Sequence, residues 1–505
     1  MGIIRRCLAT LLLAALTPLA SSDQVTDQVN QWRLSNEQQI IDRFAGLLRI
    51  PNVASDEANI RKNADYISDL LSDAGLNVRL LELEGSNPVV FAEKPVPGAD
   101  RTVMIYIHYD GQPVNPDNWA SDPWTPMMRT DMVEKGGKPV PMKAPFDPEW
   151  RIFGRSAGDD KAPIIALHSA LEAMAAAGID PTVNLKVFME AEEEAGSPNL
   201  RRMLEKHKDL LSADLWLFCD GPTHQSRRWQ LVYGVRGSYG FNLTVYGPNR
   251  PLHSGHYGNW APNPIALLTE LIGSMRAPDG RILVDGYHEQ VQPLSDAELA
   301  AIAASPRMDE VLTTDLGIGA PETEDRLEMA IARPAMNLRG ISGGDVGAKA
   351  RNAIQPSASA SIGLRLVPAQ TPEYLREVVE KHITKQGYHI IRDEPSTEQR
   401  QQFERLARVN WSSSGGYPAY RASFDNPLAI EISNILGELS DGTLIQTPTM
   451  GGSLPLYVIE NVLETPILIL PVANHDNNQH GANENLRLQN LWDAIEIYAA
   501  VLTGL

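Results

Sequence analysis

Apolar residues recur at helical spacing over 36–49, through Ile40, Ile41, Phe44, Leu47 and Leu48, and Pro51 stops the run. A second helix is predicted over 58–74, ended by Gly75. The period then shortens. Residues 77–83 and 88–93 read as strands about the turn Gly85-Ser86-Asn87-Pro88, and 102–107 is almost continuously apolar, as in a strand buried on both faces. Residues 115–149 are rich in Pro, Gly and Trp with no sustained period, which predicts a long excursion outside the core. A short strand at Ile152-Phe153 leads into a glycine turn, two adjacent aspartates and a helix over 164–177, closed by Gly178. Strands follow over 183–189 and 215–219, with a helix between them predicted to start at Pro198 with Ser197 as its cap. From about Gly237 the grammar changes to half-exposed alternation, as in 239–246, and mixed pieces continue to about Ile391. After Gly415-Gly416 the first style returns, with a helix over 427–439, an apolar strand over 466–471 and a last helix over 488–502. This pattern predicts an α/β unit interrupted by an inserted α+β unit.

A chain of 505 residues exceeds what one core usually organises, which agrees with two domains. A formal charge of −19 excludes a nucleic-acid backbone or an anionic membrane surface as the main partner, since neither is drawn to such a surface. At the N-terminus, Arg5 and Arg6 precede a mostly apolar run to Ala20 and then Ser21-Ser22, the layout of a secretory signal. The run is shorter than the ~20 residues that span a bilayer, so the expectation is cleavage near residues 20–22, no stable membrane insertion, and a periplasmic or extracellular protein. Cys7 would leave with the signal, and Cys219 alone cannot form an internal disulfide.

Each strand end carries chemistry. The apolar strands run into His108 and Asp110, into Glu192-Glu193-Glu194, into Asp220, and into a loop with His475 and His480, while the glycine turn supplies Asp159 and Asp160. Individually these have ordinary readings: a helix cap for Asp160, a turn for Asp220-Gly221, a solvated approach for the glutamates. Together they place acids and imidazoles beyond the carboxyl ends of strands, where α/β sheets build their sites. Imidazole and carboxylate without thiolate suits zinc, cobalt or manganese, and a divalent cation would keep so many neighbouring carboxylates ionised.

His108-Tyr109-Asp110-Gly111-Gln112-Pro113, Gly154-Arg155 through Asp159-Asp160-Lys161, Glu193-Glu194-Ala195-Gly196-Ser197 and the late His480 resemble the motifs of a known family. It is the family of co-catalytic zinc hydrolases that includes carnosinase, acetylornithine deacetylase, succinyl-diaminopimelate desuccinylase and carboxypeptidase G. The likeness runs from about residue 36 to the C-terminus and is greatest to the carnosinase-like dipeptidase branch. It implies a three-layer α/β/α catalytic domain with a mostly parallel sheet (23–237 and 413–505), interrupted by an α+β lid and dimerisation domain (238–412). It implies two divalent ions per chain, with His108 and Asp220 on one, Glu194 and His480 on the other, Asp159 bridging both, and a cis peptide between Asp159 and Asp160. Glu193 would be the general base toward the attacking water, and Asp110 would tune His108 from behind. His253, in Pro251-Leu252-His253-Ser254-Gly255-His256, would donate to the oxyanion from the second subunit of a homodimer. Gly451, Gly452 and Ser453 match a loop that approaches the substrate.

There are departures. Ala162 stands where the family usually has glycine after the lysine. The lid arginine that takes the substrate carboxylate in carnosinase-like members is missing from Ile354-Gln355-Pro356-Ser357, so Arg365, Arg339 or Arg351 substitutes, or the substrate lacks a simple free C-terminus. The excursion at 135–148 is longer than usual. The expected activity is hydrolysis of small peptides by a dipeptidase or carboxypeptidase. The alternatives are an N-acyl amino-acid deacylase with the same metals and, from another class, a non-catalytic metal-stabilised binding protein.

Overall fold

A computed structural model describes residues 22–413 and 415–505. The apolar runs form an eight-stranded sheet in the order Asn77–Leu81, Val89–Lys94, Asn184–Glu190, Thr102–His108, Leu215–Phe218, Ile467–Ile469, Gln230–Val232, Ile445–Thr447. Its central strands, from Asn184–Glu190 to Ile467–Ile469, are parallel, and antiparallel pairs flank them. Residues 103–108 are buried throughout, which explains why that strand shows no alternation in the sequence. Helices Ser22–Leu48, Lys161–Ala177 and Leu488–Gly504 pack on one another, and Leu456–Leu463 packs on Leu200–Lys206. The chain is therefore an α/β protein with a mixed sheet whose middle is parallel.

Three expectations change. The first helix starts at Ser22 rather than near Asn36, because Val25 and Val29 extend its apolar stripe and are buried. The helix expected from Pro198 begins at Leu200 with Asn199 at its cap, since Gly196 and Ser197 both take left-handed backbone (φ 85° and 49°) and postpone the helical turn. The excursion over 115–149 is not structureless. It supplies strands Met127–Arg129 and Pro139–Val140, which join Arg151–Phe153 and Asn485–Arg487 in a four-stranded sheet. Strands this short carry no readable period and are held by pairing with distant residues. That small sheet registers the aspartate turn after Phe153 against the loop that carries His480.

The inserted region has its own sheet, in the order Ala335–Ser342, Ser357–Leu366, Gly237–Tyr246, Leu406–Trp411, His389–Ile391. Ser357–Leu366 alternates strictly between half-buried and buried residues, the mark of a sheet with one face on a core. Phe241, Leu243, Ile362, Leu364 and Val379 belong to a hydrophobic cluster separate from the one built by residues 25–235 and 420–502. Among the described residues no helix is long and apolar enough to cross a membrane.

The chain passes between the two regions at Gly234–Val235, which pairs with Tyr420–Arg421. A Cβ on Gly234 would lie 2.1 Å from the Tyr420 carbonyl oxygen and 2.7 Å from Arg421 Cα, backbone atoms that cannot rotate aside. Gly234→Ala is expected to cost about 1–3 kcal/mol through overpacking, read as a lower urea midpoint. An unchanged midpoint would show that this crossing tolerates a side chain.

Candidate metal centre

The strand ends bring their acids and imidazoles to one edge of the central sheet. His108 closes Thr102–His108, and Asp110 follows it. Glu193 and Glu194 form a single 3-10 turn after Asn184–Glu190, Asp220 follows Leu215–Phe218, and His480 sits in the loop between Ile467–Ile469 and Asn485–Arg487. Asp159 and Asp160 lie between Arg151–Phe153 and helix Lys161–Ala177, and the peptide between them is cis.

Asp159 is central. Its Oδ1 lies 2.9 Å from His108 Nε2, and its Oδ2 lies 3.1 Å from His480 Nε2. The donor atoms fall into two groups whose members lie within 4.8 Å of one another: His108, Asp160 and Asp220, and Asp159, Glu194 and His480. His108 Nε2 is 3.8 Å from Asp220 Oδ2, and His480 Nε2 is 3.3 Å from Glu194 Oε2. Asp160 differs from the simple cap reading. It occupies the N-cap position, yet its side chain makes no capping bond and turns inward, where Oδ2 accepts from His108 N at 3.3 Å. Asp110 works from behind. His108 Nδ1 is 3.4 Å from Asp110 Oδ1 and 3.2 Å from its carbonyl oxygen, while the carboxylate accepts from Glu193 N (3.2 Å) and Glu194 N (3.1 Å). A proton held on Nδ1 by Asp110 leaves Nε2 free to bind a cation.

The electrostatics fit a divalent ion. Burial, with the charge of Asp159, pushes Glu194 up to about 8, and burial with the same neighbour pushes Asp220 up to about 6. Glu193 rises for the same reasons, burial first and then the charges of Asp220, Glu194 and Asp159. Asp159 goes the other way: burial opposes ionisation, but hydrogen bonds with His108 and His480 bring it below the usual carboxylate range. Asp160 Oδ1 and Asp220 Oδ1 are buried without any hydrogen-bond partner. Orphaned carboxylate oxygens and two imidazoles, with no thiolate, make a donor set for zinc, cobalt or manganese, and a cation would lower the acids that burial has raised.

Beside these groups lies a cavity of about 610 Å³, lined by Asp159, Glu193, Asp220 and His480 together with Arg365 and the loop Gly451, Gly452, Ser453. Ser453 Oγ donates to the Arg236 carbonyl oxygen (2.7 Å) and accepts from Arg365 Nη1 (2.6 Å). Arg236 Nε and Nη2 both donate to the Gly451 carbonyl oxygen, at 3.1 and 3.0 Å. Burial and the neighbouring Arg365 push Arg236 down to about 10. Of the three arginines considered as substitutes, Arg365 lines the cavity, Arg339 donates to the Ile362 carbonyl oxygen and Arg351 is exposed.

Other candidates lie apart. His253 is exposed and is not among the residues lining the cavity; its Nδ1 accepts from Gly255 N at 3.1 Å and its ring meets that of His256. Glu192 accepts from Asn87 N and Asn199 Nδ2, and His475 belongs to neither donor group. Residues that sequence reasoning left unassigned also appear. Gln112 Nε2 donates to Glu194 Oε2 and Gln479 Nε2 to Asp159 Oδ2, each at 2.7 Å, and Glu484 is buried under the aspartate turn. Gln112 and Gln479 do stand beside quoted motifs, but an amide near a motif is too common to single out.

A profile of peptidase family M20/M25/M40 matches residues 104–504. The chain belongs to that family. Cys-Gly metallodipeptidase dug1 of Schizosaccharomyces pombe is 27% identical, over 92% of this chain and 94% of that protein. Beta-Ala-His dipeptidase of Mus musculus is 26% identical, over 82% of this chain and 79% of the other. In fold, the M20 family metallo-carboxypeptidase Sso-CP2 from Sulfolobus solfataricus superposes with a TM-score of 0.72 at 24% identity, covering 92% of this chain and 98% of that one. The chain is thus a metal-dependent hydrolase of a peptidase family, on the carnosinase-like side of it.

The secreted, periplasmic or extracellular location expected from the N-terminus is corrected. Two of the relatives, matched over 92% and 93% of the chain, are fungal Cys-Gly metallodipeptidases, and they do not carry the export reading. The segment on which it rested, including Cys7, lies outside the described residues up to position 21, and Ser22 already belongs to the first helix. Arginines before an apolar run are a compositional cue alone. Cys219 is a buried free thiol.

Because the raised acids repel one another, a bound divalent ion should stabilise the fold. A free ion at ~100 times its Kd contributes about 2.7 kcal/mol, so added zinc or manganese is expected to raise the melting temperature by several degrees, reversed by a chelator. A melting temperature indifferent to both would remove the cluster as a metal site.

Proposed function

We propose that the chain hydrolyses the amide bond of small peptides as a dipeptidase or carboxypeptidase, using two divalent ions. Zinc is the first choice, and cobalt or manganese would also suit the donors. His108 and Asp220 would hold one ion, Glu194 and His480 the other, with Asp159 shared. The observation that carries this reading is Asp159, whose two oxygens face the two imidazoles while Glu193 lines the same cavity. When bound, the ions would polarise the scissile carbonyl and lower the pKa of the attacking water.

The chain's own residues do the rest. Glu193 takes the proton from the attacking water and passes it to the leaving nitrogen. Asp110 keeps this base in place by accepting from its backbone N–H while it orients His108. Arg365 and the N–H groups of Gly451, Gly452 and Ser453 receive the substrate carboxylate, which supports a substrate with a free C-terminus despite the missing lid arginine. The names of the Cys-Gly and Beta-Ala-His dipeptidases agree with that choice. N-acyl amino acids share the carboxylate, so a deacylase remains the alternative to be screened. Glu193→Gln is expected to lower kcat at least ~100-fold on a dipeptide panel with both ions retained by metal analysis. Unaltered turnover would take Glu193 out of the base role, and turnover of N-acyl amino acids alone would favour the deacylase.

We further infer that 238–412 is a lid and dimerisation domain and that His253 serves the cavity of a second copy. Strand Ala335–Ser342 is the outer strand of its sheet, with Leu338 and Ile341 exposed, and Trp260 is 80% exposed. An open edge with apolar residues is a surface for a second chain. His253→Ala is expected to cripple turnover, and mixing it with Glu193→Gln to restore part of it in heterodimers. Verified heterodimers without recovery would argue that the lid acts within its own chain.

A further inference from the structure

Glu484 is fully buried, yet it belongs to neither donor group. Its carboxylate is filled from the backbone of the aspartate turn. Oε1 accepts from Gly158 N (3.1 Å) and Asp159 N (3.0 Å), and Oε2 accepts from Ser156 N (3.0 Å) and Arg155 Nη1 (2.6 Å). The carbonyl oxygen of Glu484 accepts from Gly154 N at 3.1 Å, and the next residue opens the strand Asn485–Arg487 that pairs with Arg151–Phe153. Arg155 completes the loop. Its Nη2 donates to the Gly481 carbonyl oxygen at 3.1 Å, beside His480, and its guanidinium lies over the Trp119 ring.

A buried carboxylate is costly unless its oxygens are satisfied, and here each oxygen has two donors. Bonds from N–H groups to an ionised acceptor are roughly twice as strong as neutral ones, so the turn is held stiffly. The turn carries Asp159 and Asp160, while Glu484 and His480 share one loop. Glu484 therefore ties the two donor groups together without touching an ion.

We propose that Glu484 is a positioning residue that sets the spacing of the two metal-binding groups, by holding the Asp159 backbone directly and the Gly481 carbonyl through Arg155. This rests on the two-ion reading above. An amide in its place would turn an NH2 group toward one pair of donors, leaving N–H facing N–H.

The test compares wild type with Glu484→Gln and Arg155→Lys, the latter keeping all the backbone donors on Glu484. Zinc affinity is measured by competition with a chromophoric chelator, alongside the melting temperature of the metal-free protein and dipeptide kinetics at low and excess zinc. Glu484→Gln is expected to bind at least one zinc equivalent tenfold or more weakly while still folding, and to regain kcat in excess zinc with KM unchanged. Arg155→Lys is expected to weaken zinc several-fold, and it carries the test if the glutamine variant does not fold. A merely structural role predicts a lower metal-free melting temperature with unaltered zinc affinity, and that result would overturn the proposal. Wild type that binds zinc and cleaves dipeptides while both variants bind zinc normally sinks this inference alone. Wild type that binds no zinc sinks it together with the two-ion reading.

Discussion

Asp159 stands between two imidazoles, one facing each of its oxygens, and the architecture around it answers the cost of gathering carboxylates away from water. A parallel sheet sends the carboxyl ends of its strands to one edge, so the acids that end successive strands meet there. Helices cover the faces of that sheet, which leaves the edge as the place where charge can collect beside an open cavity. His108 is buried, while the side chain of His480 keeps about half of its surface exposed, and Asp220 and His480, one from each donor group, both line the cavity.

Two turns carry neighbouring acids, and both are held in the same way. Asp110 accepts the N–H groups of Glu193 and Glu194, and Glu484 accepts those of Ser156, Gly158 and Asp159. In each case a buried acid grips the backbone of the turn and leaves the side chains of that turn free for chemistry. The polarity also helps, because the N–H groups on which these anchors close satisfy charge that would otherwise add to the repulsion at the centre. The second region contributes a different kind of order: Arg365 reaches from its sheet to Ser453 of the first region, so the cavity wall is shared between the two.

Much of this was legible in the sequence. Helical period and continuous apolar runs located the central strands and most helices, and Pro427–Leu439 coincides with its expected span. The acids and imidazoles were visible because each follows an apolar strand. The small sheet was not visible, since Met127–Arg129 and Pro139–Val140 are shorter than any period they could show. Asp160 was misjudged because a position before a helix says where a residue sits, but not which way its carboxylate turns.

The sequence by itself determined the central strands and most of the helices, the residue types at the strand ends and hence the class of metal chemistry, because these are written in local periodicity and spacing. Only the tertiary structure decided which acids face an imidazole, which anchor a turn, and that His253 lies outside the cavity of its own chain. Glu484 shows the reason. It meets Asp159 N across 325 residues, through a backbone donor that every residue type but proline possesses. Such a bond leaves no pattern in the chain, and only the folded register of two distant strands brings it about.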